Sequence, residues 1–244
     1  NLRIVSQSSA TGTQFLQAVG CALSRKLEKN NELVYVSAGE GTTSQGDFHE
    51  ALNWASNSKA PVIFHIQDNE YAISTHKSIQ NADSVYAMSA GYRNLGRYDV
   101  NGVDFFETNL AFKEATERAR KGKGPSLIVS NVVRLLPHSS SDDQRKYRTE
   151  QELIEDKKRD PIVTLKDQCI KHEIITIKEF EKIDNEVRQL IDDDIKWALS
   201  QNNPEPLEAN MHVYSNNLSS IEPDLNLMSS NKIVLVDAIN HALE

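Results

Sequence analysis

The sequence predicts an α/β protein, with a mostly parallel sheet covered by helices on both faces and a helical C-terminal arm. Two observations carry this expectation. Between about Thr13 and Arg134 the apolar runs "LVYVSA", "APVIFHIQ" and "PSLIVSNVV" alternate with stretches of helical periodicity. Continuous apolar runs are what strands need when helices bury them on both sides. From about Asp160 to Leu199 only helical periodicity continues.

From Thr13 to Leu27 the residues Phe15, Leu16, Val19, Ala22, Leu23 and Leu27 recur at helical spacing, and Arg25, Lys26 and Glu28 mark a polar end. "LVYVSA" then reads as a buried strand. It ends in "GEGTTSQGDFHEALN", within which Phe48, Ala51 and Leu52, followed by Ala55, repeat a helical face; Ala60 to Gln67 form a second strand, completing a β-α-β unit. A helix around Asp83 to Gly91, a short strand near Tyr98 to Val100 before "NG", a helix from Leu110 to Lys121 and the strand "PSLIVSNVV" extend the alternation. The polar "PHSSSDDQRKYRT" reads as an ordered or orderable surface loop. Asp160 as N-cap and Pro161 in the first turn open a helix over "DPIVTLKDQCI". Phe180, Ile183, Val187, Leu190, Ile191, Ile195, Ala198 and Leu199 line one stripe of a longer helix, with acids and lysines opposite.

Residues 202–231, with Pro204, Pro206, Pro223 and many Asn and Ser, read as a linker or a strap across a partner surface. "KIVLVDAINHALE" resumes apolar periodicity as the opening of another domain. The expected divisions are therefore an α/β domain over 1–150, a helical extension over 151–201, the linker over 202–231 and a truncated domain over 232–244.

Composition bounds the partners. A chain of 244 residues with 39% apolar content supports one large domain, or one with an appended arm. The net charge of −8 and pI near 5.4 oppose nucleic acid or an anionic membrane as the main partner. No apolar run approaches the roughly 20 residues of a membrane span, and the N-terminus lacks a basic head with an apolar core, so a cytoplasmic location is expected. Cys21 and Cys169 lie far apart in apolar helical patterns and are expected as buried free thiols. The opening "NLRIVSQSS" lacks a start methionine, and the chain reads as a piece of something longer.

Glu40 and Asn69 each stand at the mouth of a predicted strand, and a single helix joins those strands, so the two side chains are expected to converge. A carboxylate with an amide oxygen suits Mg²⁺, completed by water, phosphates and a backbone carbonyl, here that of Tyr71. Gly41 and Thr42 would offer backbone N–H groups to a diphosphate. Taken alone, Gly-x-Gly after a strand is usually a tight turn. "HEALN" has Asn53 where a His-Glu-x-x-His zinc site needs its second histidine. Neither a Gly-Lys-Ser/Thr loop nor a Gly-x-Gly-x-x-Gly run supports a nucleotide site. His65, inside an apolar strand, reads as a core residue with one hydrogen bond rather than part of a cluster with His49, His76 and His138.

The second half of the pattern, "QDNEYAIS", sharpens this reading. The stretch from Gly39 to Ser74 resembles the thiamine-diphosphate signature, Gly-Asp-Gly with an Asn further along. More narrowly, "GEGTTSQGDFHEALNWA", "PVIFHIQDNEYAIST" and "RLLPHSSSDDQRKYR" resemble the alpha subunit of 2-oxo acid dehydrogenases, over about Ser6 to Leu199. The resemblance implies the thiamine-diphosphate-binding fold, with thiamine diphosphate and Mg²⁺ as cofactors. Glu40 and Asn69 match the metal-ligand side chains, Tyr71 the carbonyl ligand, and Gly39, Gly41, Thr42 and Arg134 belong to the cofactor site. His138 matches the family histidine beside the diphosphate and the substrate pocket; an imidazole can donate to phosphate and exchange protons near neutral pH, so it is the candidate catalytic residue. In "SQSSATGTQ", Ser8, Thr13 and Gln14 match a segment that binds a monovalent cation, K⁺, with helix N-capping by Ser or Thr as the competing reading. Ser139 matches a serine whose phosphorylation silences some members.

The implied reaction is oxidative decarboxylation of a 2-oxo acid with acyl transfer to a lipoyl group on an acyltransferase component. Gly-Glu-Gly in place of Gly-Asp-Gly occurs in branched-chain members and leans the substrate that way. In this family the glutamate that activates the aminopyrimidine comes from the beta partner, so a beta subunit or fused beta domain is implied, in an oligomer. "KIVLVDAINHALE" resembles the first helix of that subunit. The family's alpha start, which adds a tyrosine and an arginine to the diphosphate, is absent, so this piece alone is expected to bind cofactor weakly and turn over little. Competing readings are a pyruvate or acetoin dehydrogenase, a transketolase-like enzyme, and a non-catalytic assembly module of the same fold.

Overall fold

The computed structural model describes residues 4–6, 8–211 and 234–243. It divides into two compact units, Asn1–Asp184 and Asn185–Glu244. The first begins with helix α1 (Thr13–Leu27), strand β1 (Val34–Gly39), a 3-10 turn over Glu40–Ser44, helix α2 (Gly46–Ser58) and strand β2 (Val62–Asp68). A hairpin of β3 (Tyr71–Ala72) and β4 (Thr75–His76) leads into short helices α3 (Lys77–Gln80) and α4 (Val85–Met88). Strand β5 (Gly96–Asn101), helix α5 (Phe105–Arg120), strand β6 (Ser126–Asn131), and helices α6 (Glu150–Lys158) and α7 (Pro161–Lys171) follow. The division falls inside helix α8 (Ile177–Ser200), and α9 (Leu235–Leu243) belongs to the second unit.

Four strands pair in the order β1-β2-β6-β5, all parallel, as the apolar runs require. On one face α1 and α2 seal a core in which the Phe15 ring lies 5.0 Å from Phe48 and 6.1 Å from Phe64. On the other, Ala111 and Ala115 of α5 pack on Ile63, Val100 and Ile128. The α/β architecture with helices on both faces is thus present. In the second unit, Val187, Leu190, Ile191 and Ile195 of α8 are all exposed. A 3-10 turn over Pro206–Asn210 occupies the start of the expected linker, and its remainder lies outside the described residues.

Several elements differ from expectation for local reasons. Helix α5 starts five residues before Leu110 because the Asp104 carboxylate caps it, accepting from the Phe106 and Glu107 N–H groups. The segment Asp83–Gly91 forms only the short α4, capped by Ser84, and a 3-10 turn over Ser89–Gly91. Helix α6 comes from a capping box between Thr149 and Glu152. Asp160 and Pro161 open α7 as expected. Both cysteines are free thiols, but neither is buried as expected: Cys21 is exposed, because it lies off the α1 stripe of Phe15, Val19 and Ala22, and Cys169 is half-buried. No Ser or Thr caps α1. Its N-cap is Gly12 at φ 99°, where a Cβ would stand 2.9 Å from the Gln45 Cβ.

His65 makes two side-chain hydrogen bonds where one was expected. The Tyr35 hydroxyl pairs with Nδ1 at 2.8 Å and the Ser130 hydroxyl with Nε2 at 2.9 Å, bridging β1, β2 and β6. Burial pushes its pKa down. The folded chain therefore holds the ring neutral where the unfolded chain takes up a proton, and stability falls as pH drops from about 6.5 toward the lowered value. Thermal melting between about pH 7.5 and pH 5.5 should fall more steeply in the wild type than in His65→Gln; parallel slopes would contradict this.

Candidate functional site

The parallel register brings three loops to one end of the sheet, the carboxyl end where open α/β sheets place ligands. Glu40 follows β1, Asn69 follows β2, and the segment toward Arg134 follows β6; the Val132 N–H donates to the Asp68 carbonyl at 2.8 Å. The Glu40 side chain is fully buried, at 1% exposure. Its Oε2 accepts from the Asn69 backbone N–H at 3.2 Å, whereas Oε1 is buried without a hydrogen-bond partner. Burial pushes the Glu40 carboxyl pKa up, against backbone hydrogen bonds that lower it; Asp68 adds to the rise and Lys77 opposes it.

The Asn69 turn is internally braced. Asn69 Oδ1 accepts from the Tyr71 N–H at 3.1 Å, and Asp68 Oδ1 accepts from the Glu70 N–H at 2.9 Å. These bonds hold Glu70 at φ 71°, a left-handed conformation unusual for a side-chain-bearing residue. Lys77 Nζ lies 3.0 Å from Asp68 Oδ2 and 3.3 Å from Glu70 Oε1. Burial would lower the lysine pKa, but the hydrogen bonds and charges of Asp68 and Glu70 outweigh it and raise it. Facing the turn, Gly41 sits so close to the hairpin that a Cβ would stand 2.7 Å from the Ala72 Cβ.

The loop after β6 is fastened to the same turn. Arg134 donates to the Ile73 carbonyl at 2.6 Å and to the Tyr147 hydroxyl at 2.7 Å, with its guanidinium 5.2 Å from the Tyr71 ring centre. Arg148, buried, donates to the Arg134 carbonyl at 3.0 Å, pairs with Asp156 and lies 5.0 Å from the centre of the same Tyr71 ring that Arg134 covers. The Tyr71 hydroxyl donates to Glu152 Oε1 at 2.9 Å. Burial, then this carboxylate, raises the Tyr71 pKa. The polar run "PHSSSDDQRKYRT" is therefore an anchored loop.

The structure brings Glu40, Asn69, Gly41 and Tyr71 together, with Gly39 and Thr42 adjacent in the β1 loop and Arg134 stacked on Tyr71. His138 and Ser139 are exposed further along the β6 loop, where the His138 N–H donates to Asp142 at 2.9 Å and the Ser139 hydroxyl lies 3.2 Å from that of Ser141. Ser8, Thr13 and Gln14 surround the turn before α1: Ser8 Oγ accepts from the Ala10 N–H, Thr13 Oγ1 donates to the Ala10 carbonyl and Gln14 Oε1 accepts from the Gly12 N–H. Sequence reasoning missed Gln80, Tyr147 and Arg148, which contact Gly41, Arg134 and Tyr71, and Asp68 and Lys77, which brace the turn on either side of Asn69; none belongs to a spaced motif. Among the described residues no three His, Cys, Asp or Glu side chains form a metal-binding group. A metal at this end of the sheet must therefore use mixed oxygen donors. Glu40 Oε1 fits that role, because a buried carboxylate oxygen without a donor is satisfied by a cation.

Such a fold, with a carboxylate and an amide at the ends of adjacent parallel strands, defines the class of α/β proteins that bind ligands across strand ends. Residues 1–207 match the family model for the dehydrogenase E1 component, and the chain belongs to that family. It is 41% identical over 200 residues to the 2-oxoisovalerate dehydrogenase subunit alpha of Bacillus subtilis (strain 168), covering 82% of this chain and 58% of the relative. It is also 35% identical over 217 residues to the pyruvate dehydrogenase E1 component subunit alpha of Acholeplasma laidlawii, covering 88% and 63% of the two chains. The protein of that same name from Staphylococcus aureus (strain Mu50 / ATCC 700699) is 38% identical over 191 residues, covering 78% and 50%. The chain thus spans less than two thirds of the length of these relatives.

The close approach at Gly41 is testable by itself. Gly41→Ala is expected to cost about 1–3 kcal/mol through overpacking against Ala72, read from the urea midpoint. The paired exchange Gly41→Ala with Ala72→Gly should recover much of it, and no recovery would show that the contact is not the cause.

Proposed function

We propose that this chain supplies the alpha-type half of the thiamine-diphosphate site in the first component of a 2-oxo acid dehydrogenase. One observation carries the reading: a fully buried carboxylate, Glu40, has one oxygen held by the Asn69 N–H and the other without a donor. Glu40, the Asn69 side-chain oxygen and the Tyr71 carbonyl would hold Mg²⁺, a hard cation that takes its remaining ligands from water and phosphate. The Asn69 oxygen already accepts one N–H and keeps a second lone pair for this. Gly39, Gly41 and Thr42 would present backbone to the diphosphate, with Gly41 offering no side chain. When bound, thiamine diphosphate supplies the carbon chemistry that lets a 2-oxo acid lose carbon dioxide.

The chain's own residues bind, orient and move protons. Arg134, stacked on Tyr71, brings a permanent positive charge toward the anionic cofactor. His138, on the exposed stretch of the same loop, would donate to a phosphate oxygen or transfer a proton with the substrate. Ser8, Thr13 and Gln14, gathered at the turn before α1, would supply oxygen ligands to a monovalent cation, K⁺. A beta-type subunit or domain supplies the rest of the site, and the acyl fragment passes to a lipoyl-bearing acyltransferase. The exposed apolar stripe of α8 supports assembly with such a partner. Branched-chain 2-oxo acids are the proposed substrates. The Gly-Glu-Gly sequence and the 41% identity to a 2-oxoisovalerate dehydrogenase subunit, against 35% and 38% to pyruvate dehydrogenase subunits, support that choice.

Calorimetric titration of thiamine diphosphate into the chain with and without Mg²⁺, beside Glu40→Ala and Asn69→Ala, tests the reading. Metal-dependent binding is expected in the wild type, weakened by about tenfold or more in each variant. Absence of binding in the chain and also in its full-length form with a beta partner would overturn the proposal, as would wild-type affinity in both variants.

A further inference from the structure

We propose that α3 is a bracket that sets the spacing between the two metal-binding side chains, with Lys77 and Gln80 as positioning residues. This rests on the assignment of Glu40 and Asn69 as metal ligands and adds the element that holds them in register. The two ligands come from different loops, joined directly by the Asn69 N–H to Glu40 bond. Helix α3 touches both loops. Lys77 grips the residues on either side of Asn69: its Nζ contacts Asp68 Oδ2 at 3.0 Å and Glu70 Oε1 at 3.3 Å, and its backbone N–H donates to the Glu70 carbonyl at 2.8 Å. Gln80, one helical turn on, grips the residues after Glu40: its Nε2 donates to the Gly41 carbonyl and to Ser44 Oγ, each at 2.7 Å. Ser44 Oγ donates onward to Asn81 Oδ1 at 3.2 Å.

The hairpin makes this arrangement reachable. Tyr71 pairs with His76 and Ala72 with Thr75, so the chain doubles back after Asn69 and delivers Lys77 beside Asp68, while Ala72 presses on Gly41. The bracket also decides which acid is left for a metal. Asp68, directly before Asn69 in the chain, is only 3% exposed, but its Oδ1 accepts from the Glu70 N–H and its Oδ2 from Lys77. Glu40 Oε1 has no such donor. A divalent cation therefore meets a free oxygen on Glu40 and a neutralised pair at Asp68.

The test is titration of Mg²⁺ into the intact chain at saturating thiamine diphosphate, for the wild type, Lys77→Met, Gln80→Met, the double variant and Lys77→Arg. Metal-free melting of each variant fixes a temperature at which all remain folded. Each single neutral variant should weaken Mg²⁺ binding by about tenfold, the usual effect of losing support behind a ligand. Lys77→Arg, which keeps the charge and the donors, should recover most of the loss. The double variant should weaken binding by less than the product of the two single effects, because a bracket released at one end no longer holds at the other. Should Lys77→Met fail to fold, Asp68→Asn with Lys77→Met removes both charges while keeping an acceptor for the Glu70 N–H, and is expected to show the same weakening. Wild-type Mg²⁺ affinity in Lys77→Met and Gln80→Met, or fully multiplicative losses in the double variant, would overturn the bracket while leaving the site intact. Absence of metal-dependent binding in the wild type and also in its full-length form with a beta partner would overturn the site assignment, and the bracket with it.

Discussion

Gly39 of β1 pairs with Gln67 of β2, and Asp68 of β2 pairs with Asn131 of β6. This parallel register is the constraint from which the site follows. Because the strands run the same way and end within about a residue of one another, whatever follows each strand meets at one end of the sheet. Glu40 comes next after Gly39 and Asn69 next after Asp68, so a carboxylate and an amide from separate loops lie within one hydrogen bond. A slip of one residue between β1 and β2 would turn the strand side chains to opposite faces and move Glu40 away from its partner. The core on both faces, phenylalanines of α1, α2 and β2 on one and alanines of α5 against Ile63, Val100 and Ile128 on the other, is what makes such a slip costly.

At that end the chain keeps several acids close together. Burial disfavours the charged form of Glu40, and Asp68 adds to the effect. The surrounding groups divide the work of managing this charge: Lys77 neutralises Asp68, the Asn69 backbone N–H holds one Glu40 oxygen, and the other oxygen is left without a donor. Buried polar atoms are normally paired, so an unpaired carboxylate oxygen at the carboxyl end of the sheet is the observation on which the proposed metal site rests. Arg134 and Arg148 bring further positive charge to the same turn through Tyr71, and they tie the β6 loop down as they do so.

Strands β1, β2 and β6 and helices α1, α2 and α8 were legible because each is long or strongly patterned, with apolar runs for doubly covered strands and a periodic stripe for helices. Glu40 and Asn69 were legible because strand ends are marked by the break in the run. The hairpin and α3 were not. Two-residue strands and a four-residue helix carry no periodicity, and their geometry depends on Asp68 and Lys77 meeting across a turn with Glu70 and Ile73 at positive φ. Cys21 shows the opposite failure: an apolar helical pattern named the helix correctly, yet a residue between the buried positions faces outward. The paired caps at Asp104 and Thr149 set helix starts that hydrophobic spacing alone places too late or omits.

The most direct measurement is an anomalous diffraction map of the chain crystallised with Mn²⁺, an octahedral oxygen-ligand stand-in for Mg²⁺, and thiamine diphosphate. The account predicts a metal peak bonded to Glu40 Oε1 and the Asn69 side-chain oxygen at about 2.0–2.2 Å, as close as hard cations approach oxygen ligands. A peak bonded to Asp68 instead, or a Glu40 carboxyl that stays enclosed with no metal beside it, would contradict it.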